Sequence, residues 1–133
     1  MKLNSIVLLF VVSVAAQSIS DEPSSSNCDG TTYSQQNIDD AATAALSYYA
    51  SGQTVGKDSY PHQYNDYEGF SFTCSAPYLE FPIKTSGVYS GGSPGADRVV
   101  IGSISSDEST AEYCAVITHD GQSGNDFGEC SDS

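Results

Sequence analysis

Three short runs in this 133-residue chain each carry one ionisable residue inside an apolar pattern. "PYLEFPI" holds Glu80, "ADRVVIG" holds Arg98, and "YCAVITHD" ends on His119. Read as strands, neighbouring residues point to opposite faces. Leu79, Phe81 and Ile83 then oppose Glu80. Val99 and Ile101 oppose Arg98, and Cys114, Val116 and Thr118 oppose His119. Packing the apolar sets into a core leaves Glu80, Arg98 and His119 to share the other face. Any one of them alone reads as an exposed residue on a half-solvated strand. The three together point further, because Arg98 is the only arginine and His119 one of two histidines.

A carboxylate, an imidazole and a guanidinium are the parts needed for in-line phosphoryl transfer. One group takes a proton from the attacking hydroxyl and another protonates the leaving oxygen. The cation holds the non-bridging oxygens, and the planar fork of arginine suits a phosphate. No metal is needed if the nucleophile is the adjacent 2′-hydroxyl of RNA, which the substrate presents at high effective concentration. The second histidine, His62, lies in "YPHQYNDYEGF", a stretch with four aromatic rings around a Pro-His step and an Asn-Asp turn signal. By itself that stretch reads as a tyrosine-rich packed turn.

The elements that must position these groups are legible in the pattern. "NIDDAATAALSYYASG" puts Ile38, Ala41, Ala42, Ala45, Leu46 and Tyr49 on one face of a helix. Asn37 is the expected N-cap, Asp39 and Asp40 fall in the first turn, and Gly52 ends the helix. Strands are expected at Gly69–Cys74, Tyr78–Ile83, Asp97–Ile101 and Tyr113–Thr118, the last two joined as a hairpin across "GSISSDEST". One helix followed by strands predicts an α+β domain, with the helix packed on a four- to five-stranded antiparallel sheet.

Residues 1–16 read as a secretory signal peptide: Lys2, an apolar run from Ile6 to Val14, and the small pair Ala15-Ala16. The run is too short for a confident membrane span. Polar, Pro/Ser-rich residues 17–27 read as a flexible leader, and 28–133 as one domain that acts as a secreted monomer. Cys28, Cys74, Cys114 and Cys130 suggest two disulfides in such a chain. Their spacing lacks the close pairs of a zinc site. Three pairings are possible. Joining Cys28 to Cys130 closes a loop of about 100 residues and contributes up to ~4.7 kcal/mol on the chain-entropy model, which favours it together with Cys74–Cys114.

The net charge is −13, and loss of Lys2 with the signal peptide leaves Lys57, Lys84 and Arg98 as the only cations against 17 acids. Such a surface repels a polyanion at long range, so any nucleic-acid binding must come from a local site.

The runs "SYPHQYNDYEGF", "YLEFPI", "SGGSPGADRVV" and "VITHDGQSGNDFGEC" together resemble the fungal guanyl-specific ribonucleases. The likeness extends from about Cys28 to Cys130, with the motifs in family order. It implies metal-independent cleavage of single-stranded RNA after guanosine, through a 2′,3′-cyclic phosphate that is then hydrolysed, with no cofactor. It implies Glu80 as general base, His119 as general acid and Arg98 as the phosphate anchor. Tyr60 would hydrogen-bond the phosphate, His62 would be a charged helper to the base, and Phe127 an apolar wall. Tyr64 and Tyr67 would sandwich guanine. Backbone groups of Asn65, Asp66 and Tyr67 would reach its edge, Glu68 would accept from its N–H groups, and Asn125 would add a carbonyl contact. The chain departs from the family pattern at Asp66, where the best-studied members carry asparagine, and at Phe81, where tryptophan is common. Cys74 and Cys114 resemble a second bridge of purine-preferring relatives. The alternative is a non-catalytic secreted RNA-binding or effector protein on the same fold.

Overall fold

A computed structural model describes residues 17–133. The expected signal peptide lies outside the described residues. The elements run β1 (Ser18–Ser20), β2 (Ser25–Cys28), β3 (Thr31–Ser34), α1 (Gln35–Ser51), β4 (His62–Tyr64), β5 (Tyr78–Pro82), β6 (Asp97–Gly102), β7 (Thr110–Thr118), β8 (Gly128–Glu129) and β9 (Ser131–Asp132).

Helix α1 starts earlier than the sequence suggests. Ser34, not Asn37, is the N-cap: its side chain accepts from the Asn37 N–H, and the Asn37 side chain accepts from the Ser34 N–H. This reciprocal box satisfies two orphan donors at the helix start. It also moves Asp39 and Asp40 out of the first turn, which holds no acid. Gly52 closes the helix with φ 69°, a left-handed conformation that favours glycine.

The main sheet runs β1-β7-β6-β5-β4, with β8 beside β7. β4 to β8 pair antiparallel, but β1 lies parallel to β7, so the sheet is mixed rather than antiparallel. The same pairing corrects the flexible-leader reading of residues 17–27. Ser18–Ser20 covers an edge of β7, and Ser25–Cys28 belongs to a second, three-stranded sheet with β3 and β9. Gln17 adds side-chain hydrogen bonds to the Leu46 and Glu108 carbonyls. Polar composition concealed this, because the backbone pairing of an edge strand does not require apolar side chains.

Ile38, Ala41, Ala42, Ala45 and Leu46 of α1 pack on Leu79, Phe81, Ile83, Val99, Ile101 and Val116. The alanines allow close approach of the helix to the sheet. The opposite face has its own cluster: Tyr64, Val100, Ala115 and Ile117, flanked by Phe70, Phe72, Tyr78, Cys114 and Phe127. Cys114 belongs here, not on the helix face as strict alternation predicts. Val100 faces Ala115 and Ile101 faces Tyr113, so Cys114 is an extra residue in β7. This bulge shifts the side-chain phase by one.

No strand forms at Gly69–Cys74. The segment is aromatic and alternating, yet β5 already pairs with β4 on one edge and β6 on the other. It instead lies as an irregular segment whose Phe70 and Phe72 pack on the second cluster. The disulfides join Cys28 to Cys130 and Cys74 to Cys114, with Cα–Cα separations of 4.7 and 5.5 Å.

Candidate active site

Strand register brings the ionisable residues together. His62 of β4 faces Glu80 of β5, Glu80 faces Val100 of β6, and Arg98 faces Pro82 and Ile117. Glu80, Arg98 and Ile117 thus share the face away from α1. His119, two residues past Ile117, continues it beyond the end of β7.

Glu80 is 5% exposed and Arg98 3%. Glu80 Oε1 lies 3.6 Å from His62 Nε2 on one side and 3.6 Å from Arg98 Nε on the other. Burial raises the Glu80 carboxyl above its ordinary value; His62 and Arg98 pull it back, and Glu68 adds to the rise. A buried carboxylate is a stronger proton acceptor than a solvated one, and the Arg98 guanidinium beside it keeps it able to ionise.

Arg98 is held without using all its donors. Nη1 donates to the carbonyls of Gly95 (2.8 Å) and Asp97 (2.9 Å), and Nη2 donates to the Tyr60 hydroxyl (3.0 Å). Its carbon Cζ sits 5.1 Å from the Tyr60 ring centre. Nε, though buried, has no hydrogen-bond partner. At 3.6 Å, Glu80 is an ion-pair neighbour but too far for a hydrogen bond. Because the Tyr60 oxygen accepts from Arg98, its own O–H is free to donate. Burial outweighs Arg98 and raises the Tyr60 phenol, which keeps it a neutral donor.

His119 Nδ1 lies 2.9 Å from the Asp126 carbonyl oxygen. A carbonyl only accepts, so Nδ1 carries a hydrogen and Nε2 is the nitrogen left for proton transfer. The ring stacks on Phe127 at 3.8 Å, and Phe127 meets Tyr64 edge-on at 5.8 Å. Tyr60 stacks on His62 at 4.7 Å. Tyr60, His62, Glu80 and Arg98 are therefore one contact group, and His119 and Phe127 a second one joined to Tyr64.

The segment after β4 is different in kind. Tyr64 is 6% exposed and its hydroxyl donates to Glu68 Oε1 at 2.8 Å. Burial and Glu68 both raise its phenol. Tyr67 is 89% exposed. Asp66 adopts φ 53°, its backbone carbonyl accepts from the Gly69 N–H (3.0 Å), and its Oδ1 accepts from the Phe70 N–H (2.8 Å). Asn65 and Glu68 are exposed, as is Asn125 on the loop before Phe127. Tyr64 and Tyr67 thus differ in setting: one is packed and the other is in solvent.

Two supports escaped the sequence reading. Tyr89 packs edge-on against Tyr60 (5.9 Å) and donates to the Gly92 carbonyl (2.7 Å), tying the Arg98-holding loop to the Tyr60 turn. A side chain at Gly56 would meet the Tyr89 hydroxyl at 2.3 Å. Asp97, buried on the helix side of Arg98, accepts from Tyr33. The alternation that singled out Arg98 could have flagged Asp97 as a core-facing carboxylate in need of a donor; Tyr89 left no such signal.

A family model described as ribonuclease matches residues 21–131. The chain is 53% identical over 108 residues to "Extracellular guanyl-specific ribonuclease Fl1" of Gibberella baccata, covering 81% of this chain and 97% of that protein. It is 50% identical to "Guanyl-specific ribonuclease F1" of Fusarium fujikuroi, with 93% and 91% covered. Among solved structures, a ribonuclease from Hericium erinaceus superposes with a TM-score of 0.55 at 40% identity, covering 80% of this chain and 98% of that one.

Proposed function

This chain belongs to the ribonuclease family, and from that premise we propose that it is a secreted, metal-independent endoribonuclease that cleaves single-stranded RNA after guanosine. The observation that carries the reading is the buried Glu80 carboxylate between His62 and Arg98, beside an Arg98 Nε that makes no hydrogen bond. The Gibberella baccata relative is described as extracellular, which supports the location, and both it and the Fusarium fujikuroi relative are described as guanyl-specific, which supports the base.

In the first step Glu80 takes the proton of the guanosine 2′-hydroxyl. The 2′-oxygen bonds to phosphorus and the bond from phosphorus to the 5′-oxygen breaks. His119 Nε2 gives its proton to that departing oxygen. Arg98 Nε and the Tyr60 hydroxyl donate to the non-bridging oxygens as their charge grows. In the second step the roles reverse. Neutral His119 takes a proton from water, the water oxygen bonds to phosphorus, the bond from phosphorus to the 2′-oxygen breaks, and protonated Glu80 gives its proton to that departing oxygen. The product is a 3′-phosphate.

Recognition of guanine falls to Tyr64 through Glu68. Exposed Tyr67 is free to close over a base, and stacking contributes roughly 1–3 kcal/mol. The Glu68 carboxylate accepts from the guanine ring N–H and amino group. Adenine has no proton on that ring nitrogen, so its edge leaves the carboxylate short of a donor. A local site of this kind lets a protein of net charge −13 bind RNA despite long-range repulsion.

The test is a guanosine-containing dinucleotide in EDTA, followed by phosphorus NMR. A 2′,3′-cyclic phosphate should accumulate and then convert to the 3′-monophosphate. An intact dinucleotide after prolonged incubation, or a 3′-monophosphate with no cyclic precursor, would overturn the mechanism.

A further inference from the structure

The thirteen residues between β4 and β5 form no regular structure, yet they include every base-contacting group assigned between Asn65 and Glu68. A segment of that length without secondary structure is mobile unless something ties it down. Its ties converge on one place. Cys74 is bonded to Cys114, the extra residue of the β7 bulge. The next residue, Ser75, donates its N–H to Ser103 Oγ (2.7 Å) and accepts at its carbonyl from the Ser103 N–H (2.8 Å). Gly102 makes room for all of this. A Cβ there would lie 2.6 Å from the Ser75 carbonyl and 3.1 Å from both sulfurs. Between this anchor and the base-binding residues stand Phe70 and Phe72, packed on the cluster that includes Tyr64 and Phe127.

We propose that the Cys74–Cys114 bridge, seated on the β7 bulge, is a positioning device that sets base affinity and base selectivity. The bulge turns Cys114 to the face away from α1, where Cys74 can reach it. The bond then fixes the far end of the recognition segment to the rigid β6–β7 pair. Phe70 and Phe72 consequently hold one register, and the Asp66–Phe70 turn presents Glu68 in one position. Restricting a binding loop before its ligand arrives removes part of the ordering cost of binding. Glu80, Arg98 and His119 gain nothing from this bridge, since they are held by strand register and by the Gly95, Asp97 and Asp126 carbonyls. Cys28–Cys130 has no such role: Cys28 ends β2 in the second sheet, and the Cys130 N–H is bonded to the Val116 carbonyl.

The inference rests on the guanosine-cleaving reading, and its test separates the two. Wild type, the Cys74→Ala/Cys114→Ala double variant and the Cys28→Ala/Cys130→Ala double variant are compared on guanosine and adenosine dinucleotides, well below their melting temperatures. For the first double variant KM for the guanosine substrate should rise about fivefold and the guanosine-to-adenosine ratio should fall about as much, with kcat within about twofold, as expected when a preorganised loop regains freedom. Amide hydrogen exchange should quicken at 65–72 and stay unchanged at 97–101. The Cys28/Cys130 variant should lose melting temperature but keep KM and selectivity. If Cys74→Ala/Cys114→Ala does not fold, Gly102→Ala displaces the same anchor with the bond intact and should raise KM in the same direction. Unchanged KM and selectivity in the folded variant, whatever its melting temperature, would overturn the proposal and leave the bridge a stability element only. A wild type that cuts neither dinucleotide refutes the enzyme reading instead, and with it the premise of this one.

Discussion

The two halves of the candidate site are built in opposite ways. The phosphate end stands on paired strands: Glu80 and Arg98 are almost fully buried, they neighbour each other and are held by His62, the Tyr60 hydroxyl and backbone carbonyls, and their spacing follows from sheet register. The base end is an irregular segment with Tyr67 in solvent and Glu68 bonded internally to Tyr64. Bond-making chemistry needs atoms held in place before substrate arrives, and strands supply that. Recognition needs groups that can open and close around a base, and a tethered loop supplies that. Glu68 accepts from the Tyr64 hydroxyl and Asp66 from the Phe70 N–H within the loop itself, so a base that binds Glu68 must replace the Tyr64–Glu68 bond or share it.

The largest effect should come from the phosphate end. His119→Ala removes the proton donor and should lower kcat/KM by about 10²–10⁴-fold. Its melting temperature should hold, because the ring packs on one partly exposed phenylalanine rather than in the core. A loss confined to KM would break the division between the two halves. Glu68→Ala should cost less, about 1.5–3 kcal/mol in kcat/KM for guanosine substrates, while adenosine substrates change little. Equal losses on both bases would mean that Glu68 does not read the base. Tyr67→Ala should raise KM by the stacking contribution, roughly 1–3 kcal/mol. Asp66→Asn should be the smallest change, within about twofold, because Oδ1 remains an acceptor for the Phe70 N–H, whereas Asp66→Ala should cost about 1 kcal/mol in KM. A large effect of Asp66→Asn would show that the negative charge itself matters at this position.

The pH profile sharpens the same contrast. Glu80 must be ionised to accept the 2′-proton, and burial raises its carboxyl. Activity should therefore fall, as pH is lowered, at a higher pH than an ordinary glutamate would give. Measuring kcat and KM separately against pH checks this, and an acid limb at the ordinary glutamate value would contradict the burial argument.

Much of the phosphate end was legible because it obeys periodicity. Alternation put Glu80 and Arg98 on one face, and the helix face of the sheet followed from the same rule. The rule failed at Cys114, where one extra residue in β7 reversed the phase; nothing local in "YCAVITHD" announces a bulge. It also failed at Gly69–Cys74, which has strand-like side chains but no free edge to pair with. The N-terminal strands were missed for the converse reason: "SIS" and "SSNC" are polar, and only their backbone pairing makes them strands. The base end was legible only as a resemblance, since its aromatic and acidic residues satisfy no period.

On the proposed function, Glu80, Arg98 and His119 cut RNA at a phosphate selected by the base that Tyr64 through Glu68 hold. Mapping the 3′ ends produced from a mixed-sequence single-stranded RNA in EDTA tests it most directly. Ends should carry guanosine 3′-phosphate or its cyclic precursor almost throughout. Cuts distributed equally after adenosine and guanosine would contradict the assignment of the base site, and uncut RNA would contradict the whole.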